Sequence, residues 1–247
     1  MKYGLPPRSI LIQLLGDDDF LWEYYGEGFL GKIQAWIFRS RIKVLMKLLT
    51  KLKLKPRMIL DVGCGPMFIS YSLTGNSQSE YVGVDIMPGE RLKKYRDAMR
   101  NIGVKRVEAV RASAESLPFR KGVFDFALSL DVLEHLSKPR EAVIELNRVV
   151  KDEGLVAISL PLENLTQRLL RVGFTLMRIS GDPILKKAKH IPITRTPEYH
   201  YVGDIKSYDE MLKMLKNSFY LLYSKYTPIG FHRSINVNAV HVFKKKV

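Results

Sequence analysis

The residues best suited to binding a ligand lie in segment 59–66, which reads ILDVGCGP. An apolar run there delivers Asp61, and Gly63 and Gly65 then turn the chain toward a helix. Glycines suit such a turn because a side chain would keep the backbone away from a nucleotide-like ligand. Asp85 follows Gly65 by 20 residues, at the end of a second apolar run. A carboxylate at that place can accept hydrogen bonds from both hydroxyls of a ribose.

Strand and helix patterns alternate around this turn. Apolar runs typical of buried parallel strands occur at 58–62, 81–85, 106–110, 124–130 and 155–160. Helical spacing appears at 91–99, 141–150 and 208–215, and two more strand-like segments follow at 219–224 and 237–243. This alternation predicts an α/β fold, a doubly wound and mostly parallel sheet with helices on both faces.

Residues 1–57 precede the first predicted strand and are expected to form short helices followed by a long helix over 32–55. The apolar side chains of the long helix recur on one face, at Ala35, Phe38, Ile42, Leu45, Leu49 and Leu52. Its basic side chains lie on another face, at Arg39, Lys43, Lys47 and Lys51. We expect the helix to dock on the sheet with the basic face in solvent. Binding of RNA or of a membrane surface by that face is the alternative.

Residues 162–204 interrupt the alternation and are long for a loop, which predicts an inserted lid. Its helical segment over 165–179 combines apolar side chains with three arginines. Such a lid suits an apolar substrate with an anionic group, or contact with a membrane. The predicted organisation is a helical region over 1–57, a core over 58–161, the lid over 162–204, and the remainder of the sheet over 205–247.

Composition excludes several classes of protein. The 247 residues contain one cysteine, Cys64, so an internal disulfide, a CxxC metal site and an iron–sulfur cluster are excluded, and we predict no metal site. No apolar run is long enough for a membrane span, and the N-terminus does not resemble a signal peptide. We expect a cytoplasmic protein, with peripheral membrane contact left open. The net charge of +15 favours anionic partners, but a lysine-rich composition is also typical of thermophile proteins.

Four segments together resemble class I S-adenosylmethionine (SAM)-dependent methyltransferases, in the small-molecule branch that includes quinone methyltransferases. The segment DVGCG is similar to motif I of that family, DxGxG. The other three are ASAESLPF at 112–119, FDFALSLDVLEHL at 124–136 and NRVVKDEGLVAISLP at 147–161. Four motifs in the right order and spacing make chance similarity a poor explanation.

The resemblance implies a Rossmann-like methyltransferase fold with seven strands, the last one antiparallel, a SAM-binding core over 58–161, and SAM as cofactor. It assigns the methionine part of SAM to Gly63 and Gly65, with Asp61 orienting the turn or meeting the amino group. Asp85 would hold the ribose. The remaining contacts would come from Ile86 against the adenine, Ser113 and Ala114 at the adenine edge, and Leu130 through its backbone.

The acceptor side is less defined by the sequence. A hydroxyl or ammonium acceptor needs a base, for which we prefer His135 and His200 among candidates that also include Tyr199, Tyr201 and Glu163. Cys64, inside the glycine turn, is interpreted as a packing residue rather than a nucleophile. Tyr24 and Tyr25 are expected either to cover the cofactor or to pack on the long helix.

Three hypotheses follow for function. The first is transfer of a methyl group from SAM to a small, lipophilic acceptor, with O-, N- and C-methylation all left open. The second, motivated by the charge, is an RNA methyltransferase. The third is a non-catalytic partner protein with this fold, because Met67 replaces the third glycine of the family pattern and Ser113 replaces the usual aspartate. The oligomeric state is not indicated.

Overall fold

The structure, a computed structural model, describes residues 4–16, 18–74, 78–162, 201–230 and 232–246. Most of the predicted lid, with Glu163, Tyr199 and His200, lies outside the described residues.

Among the described residues, seven strands form one sheet in the order β3-β2-β1-β4-β5-β7-β6. The strands are β1 (Met58–Val62), β2 (Glu80–Asp85), β3 (Val107–Arg111), β4 (Phe124–Leu130), β5 (Val150–Pro161), β6 (Phe219–Thr227) and β7 (Asn238–Lys245). Strand β7 runs antiparallel to both of its neighbours, while the pairs formed by β1 to β5 are parallel. The predicted doubly wound sheet with an antiparallel last strand is confirmed.

Helices cover both faces of the sheet. They are α1 (Arg8–Leu15), α2 (Asp19–Tyr25), α3 (Gly28–Lys51), α4 (Phe68–Thr74), α5 (Gly89–Asn101), α6 (Pro139–Val149) and α7 (Tyr208–Ser218). Neighbouring residues of β1 show the division. Ile59 packs in a core with Leu45 of α3, and Leu60 packs in a second core with Leu146 of α6. Successive side chains of a strand point to opposite faces, so each apolar run fills two cores. Among the described helices, none has the length and apolarity needed to cross a membrane.

Two elements, α3 and β5, begin at least four residues before the positions predicted from the sequence patterns. The long helix α3 begins at Gly28 and ends at Lys51, earlier at both ends than the predicted 32–55. Strand β5 begins at Val150, before the apolar run at 155–160, because Val150 pairs with Phe124 of β4 while the charged side chains that follow it stay at least partly in solvent. The apolar pattern therefore located the buried part of β5 and not its start.

The turn after β1 packs its side chains against a glycine of β2. Met67 has a φ of 57° and is fully buried, although left-handed backbone is unfavourable for a residue with a side chain. A Cβ atom placed on Gly83 would lie 2.7 Å from the Cys64 sulfur and 2.9 Å from the Met67 sulfur. The space left by Gly83 therefore lets a bulky residue occupy the place of the third glycine.

We expect Gly83→Ala to lower the free energy of unfolding by about 1–3 kcal/mol, because the added methyl group overpacks the two sulfur atoms. Gly89→Ala is the matched control, since a Cβ atom there meets nothing within 4 Å, and it should change stability by less than about 0.5 kcal/mol. Urea denaturation measures both. If Cys64→Ala restores none of the loss in a double variant, overpacking against the Cys64 sulfur is not its cause.

Candidate functional site

A cleft of about 530 Å³ opens at the carboxyl ends of β1, β2 and β4. The strand order reverses between β1 and β4, and a ligand of an open α/β sheet binds at such a reversal. Helices α2 and α3 form the opposite wall through Phe20, Glu23, Tyr24, Phe38, Arg41 and Ile42. The N-terminal helices thus close a site whose floor belongs to the sheet.

The glycine turn lies on the floor of the cleft. Gly63 and Gly65 have φ angles of 73° and 50°, in the left-handed region. The amides of Gly63 and Cys64 both donate to the carbonyl oxygen of Val84, at 2.8 and 3.0 Å. A Cβ atom on Gly63 would lie 2.2 Å from a methyl group of Val132, so only glycine fits there.

Asp85 holds the rim of this turn. One carboxylate oxygen accepts from the Gly65 amide and the other from the Met87 amide, both at 3.0 Å. A carboxylate has about four acceptor positions, so Asp85 keeps further acceptor capacity while it lines the cleft. Ile86, next to it, is 71% exposed at the cleft edge. The predicted ribose and adenine residues are therefore adjacent on one side of the cleft.

Of the remaining residues predicted to contact the cofactor, only some lie at the cleft. Ala114 and Leu130 line it, as does Ala112. The Ser113 hydroxyl instead accepts from the Glu115 amide at 3.1 Å, and Ser113 is not among the lining residues. A serine commonly makes this local turn bond, which a sequence motif does not reveal.

Asp61 lies beneath the turn rather than in the cleft lining. It is 4% exposed and accepts a hydrogen bond from the Tyr81 hydroxyl. Burial raises the pKa of Asp61 to about 7, against the lowering effect of the Tyr81 hydrogen bond, and the Asp85 charge raises it further. The Asp61 carboxyl therefore changes its charge close to neutral pH.

The side chains of Cys64 and Tyr24 both line the cleft and serve packing. Burial raises the pKa of the Cys64 thiol well above its ordinary value, which does not suit a nucleophile. The ring of Tyr24 meets Phe38 and Phe68 edge-on, with centroids 5.7 and 5.3 Å apart. Tyr25 donates to the carbonyl oxygen of Pro6 and is not in the lining. Tyr24 thus both packs on α3 and lines the cleft.

Sequence reasoning missed an ion pair across the cleft. The guanidinium of Arg41, 5% exposed in α3, pairs with the carboxylate of Asp131. Burial lowers the pKa of Arg41, while Tyr24, Glu134 and Glu23 act to raise it. Arg41 lies opposite the basic face of α3, beside Ile42, and that departure from the charge pattern is the signal that identifies it.

Asp131 is fixed from three directions. Besides Arg41, it accepts from the hydroxyl of Ser159 in β5 and, at 2.8 Å, from the amide of Asn238 in β7. Its φ of 56° is left-handed, a conformation that aspartate tolerates better than most residues. The end of β4 is therefore held in place by side chains from α3, β5 and β7.

The candidate bases differ in their position relative to the cleft. His135 lies in a short 3₁₀ turn after β4 and lines the cleft, with its Nε2 atom 3.8 Å from a carboxylate oxygen of Glu134. Tyr201 is buried and donates to the carbonyl oxygen of Pro161 at 2.9 Å, and it is not in the lining. His200, Tyr199 and Glu163 lie outside the described residues. Among the described candidates, His135 is the one at the cleft.

The cleft is acidic although the protein is strongly basic. Its described lining contains four carboxylates, from Asp19, Glu23, Asp85 and Asp131, against the guanidinium groups of Arg41 and Arg91. Such a balance favours a neutral or cationic ligand over a polyanion. Within the described residues, no three or more His, Cys, Asp or Glu side chains are grouped so that they could hold one metal ion.

Part of the chain is similar in sequence to known methyltransferases. Residues 60–158 match the sequence model of a family described as a methyltransferase domain. An uncharacterized methyltransferase of Mycobacterium sp. (strain KMS) is 38% identical over 103 residues, which cover 42% of this chain and 38% of that protein. A malonyl-[acyl-carrier protein] O-methyltransferase of Geobacter sulfurreducens is 35% identical over 119 residues, covering 47% of this chain and 43% of that protein.

The fold is also that of solved methyltransferases. Magnesium protoporphyrin IX methyltransferase from Synechocystis PCC 6803, with bound S-adenosylhomocysteine, superposes with a TM-score of 0.63 at 17% identity. That likeness covers 96% of this chain and 97% of the other and shows the fold alone. The chain spans less than half the length of the two curated relatives named above.

We expect Asp61→Asn to remove a pH dependence of stability. Because the folded-state pKa of about 7 lies above the ordinary 3.8, Asp61 contributes stability below pH 4 that is lost as pH rises through 7. Relative to the variant, the wild type should lose about 2–3 kcal/mol of unfolding free energy between pH 5 and 8. Urea denaturation at both pH values measures this, with Asp204→Asn as the exposed control. Parallel pH profiles for wild type and Asp61→Asn would show that Asp61 titrates normally.

Proposed function

We propose that this chain, which carries a class I S-adenosylmethionine-dependent methyltransferase domain, transfers a methyl group from SAM to a small-molecule acceptor. The observation that carries the proposal is the joint placement of the Gly63–Gly65 turn and the Asp85 carboxylate at the reversal of the strand order. The matched family and the fold of the solved relatives support it.

The residues of the cleft fit SAM. A positively charged sulfonium and ammonium group suit a lining with more carboxylates than guanidinium groups. The Gly65 backbone leaves room at the cleft that a Cβ atom would take, since that atom would lie 3.7 Å from the Phe20 ring. Asp85 retains acceptor capacity toward a ribose. Ile86 offers an exposed apolar surface for a purine ring, and Asp61 is buried, with the Tyr81 hydroxyl donating to its carboxylate.

Bound SAM would supply an activated methyl group on its sulfonium sulfur, so the chain's own work is largely positioning and exclusion of water. Glycine backbone and Asp85 would fix one end of the ligand. Apolar rings from α2 and α3, among them Phe20, Tyr24 and Phe38, would exclude water from the other side of the cleft. The Arg41–Asp131 pair would keep this wall at a fixed distance from β4.

A small acceptor suits the cleft better than RNA does. The volume is modest, and apolar side chains of α2 and α3 fill much of the wall. The RNA hypothesis predicts cationic side chains where the substrate enters, whereas the described lining carries an excess of carboxylates. The chemical class of the small acceptor, including its lipophilic character, follows from the predicted lid and stays a prediction.

His135 is our candidate for the base that takes a proton from the acceptor. It is at the cleft, and the nearby Glu134 carboxylate stabilises the imidazolium that forms when the ring accepts that proton. His200 remains a second candidate from the sequence.

The test of the cofactor proposal is calorimetric titration of SAM and S-adenosylhomocysteine. Asp85→Ala should weaken both affinities by about 100-fold, because charge-assisted hydrogen bonds to the ribose are lost. Glu90→Ala, an exposed acid outside the cleft lining, is the matched control and should bind as the wild type does. Since Asp85 also holds the Gly65 and Met87 amides, thermal unfolding must show that the variant is folded. Failure of the folded wild type to bind either ligand would favour the non-catalytic hypothesis.

The test of the base is His135→Ala, with an acceptor first found by transfer of label from methyl-tritiated SAM into small-molecule and lipid fractions. Turnover should fall about 10²- to 10⁴-fold, as for loss of a general base, while SAM affinity stays within about threefold. His232→Ala, at an exposed turn away from the cleft, should retain full turnover. Unchanged turnover in His135→Ala would assign the base elsewhere, with His200 as the next variant.

A further inference from the structure

The outer side of α3 carries a narrow basic ridge. We define the basic ridge as Lys32, Trp36, Arg39, Lys43 and Lys47, all of them exposed. At about 100° per residue these five positions fall within an arc of about 80° on the helix. They therefore form one continuous line about 23 Å long on the surface of the helix.

The charges of the basic ridge are not neutralised by described residues. Helix α3 contains no aspartate or glutamate, and none of the four cations forms an ion pair with a described residue. Exposed arginines elsewhere do so, as Arg106 with Glu80 and Arg140 with Asp204. An unpaired row of cations attracts an anionic surface by long-range electrostatics.

Trp36 interrupts this row with an apolar side chain. It is 53% exposed, unusually high for an indole ring on a protein surface. Tryptophan flanked by lysine and arginine is typical of the boundary between lipid headgroups and acyl chains, where the ring is partly buried and its N–H stays hydrated.

We propose that the basic ridge binds an anionic phospholipid surface. The ridge runs along one exposed side of a single helix, so all five side chains can reach a flat surface at once. Single-stranded RNA is bound instead in a cationic groove with several aromatic side chains for base stacking, and the ridge has one. Polybasic segments gain affinity with each cation that approaches anionic lipid, and an inserted aromatic ring adds to it.

Helix α3 connects the basic ridge with the cleft. Arg41, on the side of the helix opposite the ridge, lines the cleft together with Phe38 and Ile42. Docking of the ridge would therefore hold the wall of the cleft one helix diameter from the bilayer. The inference goes beyond methyl transfer and does not depend on it, since vesicle binding can be measured without cofactor or acceptor.

The experiment is co-sedimentation of the full chain with two kinds of vesicle. One contains phosphatidylcholine alone, and the other contains phosphatidylcholine with about 30% phosphatidylglycerol. The ridge variant is K32Q/R39Q/K43Q/K47Q. The matched control variant removes the same charge from exposed lysines off the ridge that form no ion pair with a described residue, K93Q/K105Q/K121Q/K213Q. Trp36→Phe is measured by the blue shift of tryptophan emission on anionic vesicles.

We expect wild type and control variant to bind anionic vesicles and not neutral ones, and binding to weaken with salt. The ridge variant should lose about 600-fold in partitioning, since each of its four charges contributes about fivefold. Trp36→Phe should lose most of the blue shift. Equal partitioning of ridge and control variants would overturn the proposal by showing an effect of net charge alone. Failure of the wild type to bind anionic vesicles would also overturn the proposal. Loss of salt-sensitive binding of single-stranded RNA in the ridge variant would then assign the ridge to RNA. Unchanged thermal unfolding shows that both quadruple variants are folded.

Discussion

The cleft depends on the way the end of β2 holds the turn after β1. Three amides of that turn, from Gly63, Cys64 and Gly65, are bound by the Val84 carbonyl and the Asp85 carboxylate. The same carboxylate fixes the Met87 amide on the far side. Because one short stretch of β2 satisfies both loops, the floor of the cleft and its ribose side cannot move independently. A site arranged in advance in this way loses little conformational entropy when a ligand binds.

The opposite wall is held by a different kind of interaction. Arg41 reaches from α3 to Asp131, and Asp131 is in turn bound by Ser159 and Asn238. A buried ion pair gives little net stability after the cost of desolvation, but removal of one partner leaves the other charge buried and is strongly unfavourable. The pair therefore fixes geometry more than it adds stability. It also lets α3 turn one cationic side chain inward while its remaining cations face solvent.

The sequence predicted those parts of the molecule that local patterns determine. The five parallel strands are apolar runs, and the turn at 59–66 and Asp85 follow from spacing. The fold and the floor of the cleft could therefore be predicted from the sequence. The Arg41–Asp131 pair was not, because its two residues are 90 positions apart and neither belongs to a motif that names the other. Ser113 was placed by analogy with an aspartate, whereas its hydroxyl makes a bond within its own turn. Met67 departs from the glycine pattern of the turn, and the space for its side chain comes from Gly83 on another strand, which the local pattern does not reveal.

The hydrogen bond from Asn238 to Asp131 has a consequence for synthesis of the protein. It joins residues 107 positions apart, and β7 lies between β5 and β6 in the sheet. A chain emerging from the ribosome can form the floor of the cleft long before it can complete the wall, because Asn238, which secures the end of β4, is made 107 residues after Asp131. Contacts of such long range also form late in folding. Ligand-binding competence is thus expected to appear when the hairpin of β6 and β7 inserts into the sheet. A chain without this hairpin would present the glycine turn without the wall that completes the cleft.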